Sequence, residues 1–275
     1  MVAFTRSKSG RLIVPEHEGV RGYRPEDLKR YERWKRRWRP KLAYALISNV
    51  AAGSSDAGAS VTTAGIDTTG ATLLVLILGS YGLVGLPTIS DSKSNTWNQR
   101  TRYNSNNYSS VTLYWSVPSS VGSSHTFTAS GAGTFPSIAV TAWSGGHASA
   151  PYDVENGATG VGVSTLATGS ITPSENNCLV IAGLCLGQAE TETIDSGMTI
   201  SDSINFASGQ HFGVAQAYIV QTTAAAINPT WGALNGQTVA ADIASFKAAA
   251  AGRTTKNTRA FTLGTEIGMN WRSGL

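Results

Sequence analysis

The chain has 275 residues, enough for one large or two small domains with a sizeable core. Only 14% of residues are charged while Gly reaches 30, a composition that favours strands and turns over long helices. Residues 1–41 carry +8, residues 42–249 carry −7 and residues 250–275 carry +3, so the net +4 describes the ends of the chain and not its body.

The first segment, MVAFTRSKSG, lacks the apolar core of a secretory signal, so synthesis and action without such export are expected. Residues 1–24 mix charges with Gly10, Pro15, Gly19 and Gly22 and read as an extended arm. A helix is expected over 25–39. Pro25 suits its first turn, Glu26 and Asp27 suit its positive end, and Pro40 stops it. Leu28, Tyr31, Trp34 and Trp38 recur at helical spacing as one apolar stripe, with Arg37 among the basic residues around it. Three uses compete for such a helix: docking into a protein groove, stacking on nucleic acid, and lying on a membrane. Docking is favoured, because the −7 body of another copy would offer an acidic surface.

From residue 42 the pattern changes to short strands separated by Gly, Ser, Asn and Pro. Strands are expected at 43–50, 71–79, 110–117, 125–129, 138–144, 178–186, 211–221 and 239–247. The longest apolar run, 71–78, is too short to span a bilayer and suits a buried strand. Cys178 and Cys185 share one strand about 23 Å apart on opposite faces and cannot bridge each other. Trp115, Trp143, Tyr218 and Phe246 are expected in the core.

An internal repeat is visible. TISDS occurs at 88–92 and again at 199–203. Around it, Leu73 aligns with Leu179, the segment from Ser109 with the segment from Phe212, and Trp143 with Phe246. Two halves of similar strand order, about 60–146 and 163–249, are expected either as two stacked lobes or, the favoured reading, combined into one all-β body of β-sandwich or jelly-roll type. Residues 250–275 read as a linker and extended tail whose Phe261 and Trp271 dock on a neighbour.

Catalytic signatures are sparse. The four histidines show no metal-ligand spacing, and G-x-S-x-G and phosphate-loop patterns are absent. Asp91 and Asp202, as repeat equivalents in TISDS, read as turn residues and not as a glycosidase pair. The polar stretch 92–110 holds Trp97, Arg100, Arg102, Tyr103 and Tyr108 in what reads as a long loop, a candidate for stacking on sugars. No enzyme activity, cofactor or metal is expected.

The runs PTISDSKSNTW (87–97), LYWSV (113–117) and HTFTASGAGTFPSIAVTAWSG (125–145) resemble a β-sandwich module of tailed-bacteriophage virion proteins. The resemblance covers roughly 44–249 and implies a non-enzymatic virion component: a capsid (head) decoration, neck or tail accessory protein. It would be made in the host cytoplasm, partnered by other virion proteins and by copies of itself, without nucleic acid or membrane. The alternative is an adhesin or fibre head that binds host surface polysaccharide.

Overall fold

The computed structural model describes residues 43–54, 59–187, 191–205 and 212–249, together with the backbone of residues 5–6 and 12–13. The expected helix 25–39, with Leu28, Tyr31, Trp34, Arg37 and Trp38, and the tail with Phe261 and Trp271, lie outside the described residues. Residues 1–40 and 41–275 form separate units. In the first, β1 (Thr5–Arg6) pairs antiparallel with β2 (Leu12–Ile13).

Within the described part of the second unit there are only strands and connections. Eight strands come first: β3 (Ala45–Gly53), β4 (Ser60–Thr62), β5 (Leu73–Tyr81), β6 (Thr88–Asp91), β7 (Asn98–Ser105), β8 (Ser109–Ser116), β9 (Phe127–Ser130) and β10 (Ser137–Ser144). Eight more follow: β11 (Tyr152–Val163), β12 (Leu166–Ala167), β13 (Cys178–Leu186), β14 (Thr193–Ile194), β15 (Thr199–Ile204), β16 (Gly213–Gln221), β17 (Thr230–Gly232) and β18 (Gln237–Phe246).

The first eight form a five-stranded sheet, β3-β10-β5-β8-β7, and a three-stranded sheet, β4-β9-β6. The second eight form β11-β18-β13-β16-β15 and β12-β17-β14. Each order is the other with every strand advanced by eight, so the halves share one topology. Register supplies the residue correspondence: Trp143 pairs with Leu73 as Phe246 pairs with Leu179, and Trp115 pairs with Val75 as Tyr218 pairs with Ile181.

The TISDS copies break this correspondence. Thr88–Asp91 is β6 in a three-stranded sheet, whereas Thr199–Ser203 lies in β15, the edge of a five-stranded sheet. Asp195, which follows β14, takes the place of Asp91 in the turn after the strand. Each of these two aspartates accepts, through its main-chain oxygen, a turn bond from the N–H three residues on: Ser94 to Asp91 and Met198 to Asp195, both 3.2 Å.

Three apolar clusters stack in depth. Leu74, Leu76 and Leu78 of β5 pack with Phe127 and Ala129 of β9 and Val61 of β4. Val180, Ala182, Leu184 and Leu186 of β13 pack with Trp231 of β17. The odd-numbered residues of the same strands, Leu73, Val75 and Ile77 with Leu179, Ile181 and Cys185, share a third cluster with Trp143 and Phe246. Both faces of each five-stranded sheet are therefore buried. That is why LLVLILG and CLVIAGLCL are continuous apolar runs and not alternating ones. The two halves share one apolar layer, and each owns a second.

The shared layer has a pseudo-two-fold arrangement. Sheet contacts come in reciprocal pairs: β3 lies against β15 as β11 lies against β7, and β10 against β16 as β18 against β8. The two middle strands, β5 and β13, meet on the axis. A side chain at Gly183 would collide with Ile77, its own counterpart, and one at Gly79 would press against Cys185, likewise its counterpart, 3.2 Å from the sulfur. A glycine thus faces a side chain twice along the axis, Ile77 at one level and the smaller Cys185 at the other, and this lets the sheets approach.

Replacing Gly183 by Val is expected to force the sheets apart, with a loss of about 1–3 kcal/mol in urea unfolding. A coupled gain on adding Ile77→Ala would locate the clash on the axis, and additive effects would place it elsewhere.

Candidate functional site

Of the side chains proposed for sugar contact, Arg100 and Tyr103 reach the seam between the two five-stranded sheets, whereas Trp97 packs in the outer layer of the first half. The stretch read as a long loop is instead the strand β7, turned into β8 by Asn106 and Asn107, both left-handed at φ 50° and 57°. Two consecutive asparagines in that conformation are the signature of a tight hairpin turn, and Tyr108 N–H closes it on Ser105 O at 2.9 Å. The sequence held that signal, masked by the surrounding polar residues.

Arg100 occupies a bulge of β7, between Gln99 and Arg102. Its Nε donates to Glu155 Oε2 at 2.8 Å and its Nη2 to Glu155 Oε1 at 3.1 Å and to Tyr152 Oη at 2.9 Å. The guanidinium carbon lies 3.9 Å from the Tyr152 ring centroid. Thr101 Oγ1 donates to the same carboxylate at 2.6 Å. Burial would raise the Glu155 pKa, but the bonds from Arg100 and Thr101 outweigh it and hold the carboxyl below its usual range. The bond to Glu155 in turn raises the pKa of Arg100.

The opposite edge of the seam carries the pseudo-symmetric counterpart. Register equates Asn49 of β3 with Glu155 of β11: Asn49 faces Thr141 on β10 as Glu155 faces Ala244 on β18. Asn49 Nδ2 donates to Ser201 O at 2.9 Å and to Asp202 Oδ2 at 3.0 Å. These two residues stand at the equivalent bulge of β15. Each edge is thus clasped by a polar side chain reaching into a bulge, with the acid on opposite partners. Between the clasps Gln216 donates to Thr141 at 3.0 Å, and Ser109 donates to Thr238 O at 2.7 Å.

The remaining sequence candidates are spent inside the chain. Arg102 donates to Val84 O and Tyr81 O, both at 2.9 Å, and to Ser110 Oγ at 3.0 Å. Tyr103 packs over Gly157, where a side chain would strike its ring. Trp97 donates to Asp91 Oδ2 at 2.8 Å and stands edge-on to Phe127. Tyr108 is the most exposed of these candidates, its ring braced edge-on by Tyr81 and Phe212, while Trp97, Arg100, Arg102 and Tyr103 are half-buried. Trp143 and Phe246 are buried in the seam, with Trp115 and Tyr218 partly buried against them.

One association was invisible in the sequence. His125 Nε2 lies 2.9 Å from Asp91 Oδ1, and its Nδ1 lies 2.9 Å from Thr68 Oγ1. Residues 34 and 57 apart give no local pattern to find. The hydroxyl–imidazole–carboxylate order matches a nucleophilic triad in type. However, Thr68 and His125 are fully buried, as is the Asp91 side chain, and Thr68 Oγ1 is also within bonding distance of Gly122 N and O. No substrate reaches the hydroxyl, so the chain acts as a brace between β6, β9 and the preceding loops. Burial opposes ionisation of Asp91, but bonds from His125, Lys93 N–H, Trp97 and Asn95 win and lower its pKa. Asp91 also bonds Lys93 N–H in its own turn, as the turn reading requires. Asp202 lies in the seam of the other half, so the two do not form a carboxylate pair.

Cys178 and Cys185 are buried on β13 and form no disulfide, and burial pushes the Cys185 pKa up to about 12. Among the described residues no group of three or more His, Cys, Asp or Glu side chains is arranged to hold a metal ion.

Asp91→Asn supplies a signed test. A depressed folded pKa gives stability that is present above the unfolded value, about 4, and lost as pH falls through the folded value. The variant is expected to be about 1–3 kcal/mol less stable at pH 7. Its denaturant midpoint should also fall less than the wild type's between pH 5 and pH 2. No protein family, curated protein or solved structure matches this chain.

Proposed function

We propose that this chain is a non-enzymatic structural component of a tailed-phage virion, a capsid decoration, neck or tail accessory protein with a duplicated β-sandwich, jelly-roll-like body. The observation that carries the reading is where apolar surface remains. Among the described residues the exposed large apolar side chains are Leu83 at 65%, Val161 at 60% and Tyr108 at 39%. A string of hydrogen bonds places them at one end of the body. Gly82 N–H bonds Tyr108 O beside Leu83, and Ser105 Oγ bonds Gly160 O at 2.8 Å beside Val161.

That end is held firmly, since Asn104 bonds Gly82 O at 2.8 Å and Arg102 bonds the carbonyls on either side of Leu83. Rigid apolar side chains gathered in water suit burial against another protein. The virion assignment adds the sequence resemblance to this surface.

Two further observations bear on the reading. Part of the body's negative charge is not at its surface. Among the described acids, Asp91, Asp153, Glu192 and Asp242 are buried or nearly so, Glu155 is paired and Asp202 accepts from Asn49, so fewer carboxylates face an approaching basic arm than the −7 suggests. The polysaccharide-binding alternative rests foremost on Tyr108, the most exposed of its candidates.

In light scattering the full chain is expected to self-associate. Leu83→Ser combined with Val161→Ser should weaken association at least tenfold, with unfolding unchanged. Trp34→Ala with Trp38→Ala should lower incorporation into assembled particles. A chain that stays monomeric, before and after these changes, removes the assembly reading and leaves glycan-array binding through Tyr108 to be examined.

A further inference from the structure

A single carboxylate sits inside the seam with no bond to make. Asp242 lies mid-strand in β18, 3% exposed, and neither carboxylate oxygen has a hydrogen-bond partner. It rests over Gly183, whose missing side chain leaves the space it occupies. The nearby N–H groups of Gly183 and of Asp242 itself favour the charge slightly without reaching bonding geometry.

The other half shows that the fold does not need an acid here. Asp242 pairs with Gly183 as Ala139 pairs with Ile77, so its counterpart is Ala139, an ordinary member of the shared core. An alanine fills the equivalent place without an orphaned polar group.

The surroundings give the carboxylate no counter-charge. From β11 comes Glu155, an acid. From β7 come Tyr103, Arg100 and Arg102. Arg100 is taken by Glu155 and Tyr152, and Arg102 by main-chain carbonyls. From β13 comes the buried thiol of Cys185. β5 and β8 contribute the apolar Val75, Ile77, Val111 and Leu113 to the layer, and β16 contributes the uncharged Gln216. An ionised carboxylate in such a place must take up a proton, draw in water or part the sheets.

We propose that Asp242 is a proton-operated release within the seam: protonated, it lets the two halves close, and deprotonated, it loosens β18 from the facing sheet. Burial, helped by Glu155, raises its pKa to about 7, which puts the change in the near-neutral range. The sign follows from linkage. A folded pKa above the unfolded value gives stability that is complete below about pH 4, is lost progressively up to about pH 7, and stays lost above it. This is opposite in direction to Asp91, whose contribution disappears only in acid.

The test uses the full chain as wild type, Asp242→Asn and Asp242→Ala, the last copying the other half. Thermal unfolding and tryptophan emission are followed from pH 5 to pH 9, since Trp115 and Trp143 both line the seam. The wild type is expected to lose roughly 5 °C or more of Tm between pH 5.5 and pH 8, with an emission change centred near pH 7. Both variants should lose the emission change and most of the slope, and should melt above the wild type at pH 8. Variants that keep the wild-type slope and emission change overturn the proposal. So do variants unfolded at pH 5.5 as well as pH 8, because the acid would then be structural.

Discussion

Everything in the body depends on how closely two five-stranded sheets can stack along β5 and β13. On that line Ile77 meets Gly183 and Cys185 meets Gly79, each side chain set against the missing side chain of its counterpart. Dispersion and solvent exclusion act only at contact, so a pair of large residues at either level would open a gap along the whole seam. The close approach buries the inner faces of both sheets. The outer faces then need covers of their own, which the three-stranded sheets supply. Layering, the parity of the apolar residues and the length of the apolar runs all follow.

The pseudo-two-fold relation makes each half a control for the other. Where both halves keep the same device, as with the bulges of β7 and β15, geometry demands it: the bulge turns an edge residue toward the strand across the seam. Where the halves differ, the fold leaves a choice. Glu155 with Arg100 on one edge answers Asn49 with Asp202 on the other, so an ion-pair clasp and an amide–carboxylate clasp serve the same purpose. Asp242 against Ala139 is the extreme case, in which one half carries a cost the other avoids.

Placing charge inside the seam also changes how the chain meets other molecules. The carboxylates that make the body acidic by composition are mostly engaged in joining strands, and the cations of β7 are spent on Glu155 and on carbonyls. The exposed large apolar side chains among the described residues gather at the Leu83 end. A count of charges therefore misstates this surface, because burial and pairing decide which charges reach solvent.

The sequence by itself determined the strand class, most of the long strands and the duplication. Strand content follows from local preferences and apolar runs, and the repeat survives as matched positions such as Leu73 with Leu179 and Trp143 with Phe246. It had no strand at β11 (Tyr152–Val163), which belongs to the second half, and it misdirected at two other places. The TISDS copies are identical in letters but sit in different strands, since a pentapeptide of turn-forming and β-branched residues suits either place. The run 98–105 looked like a loop because an edge strand whose side chains bond across a seam has no apolar alternation to display. Only the tertiary structure decided that Arg100 finds Glu155, that His125 finds Asp91 and that Asp242 finds nothing. Those meetings join residues tens of positions apart. They are fixed by sheet order and by the approach of two sheets, quantities that no local pattern encodes.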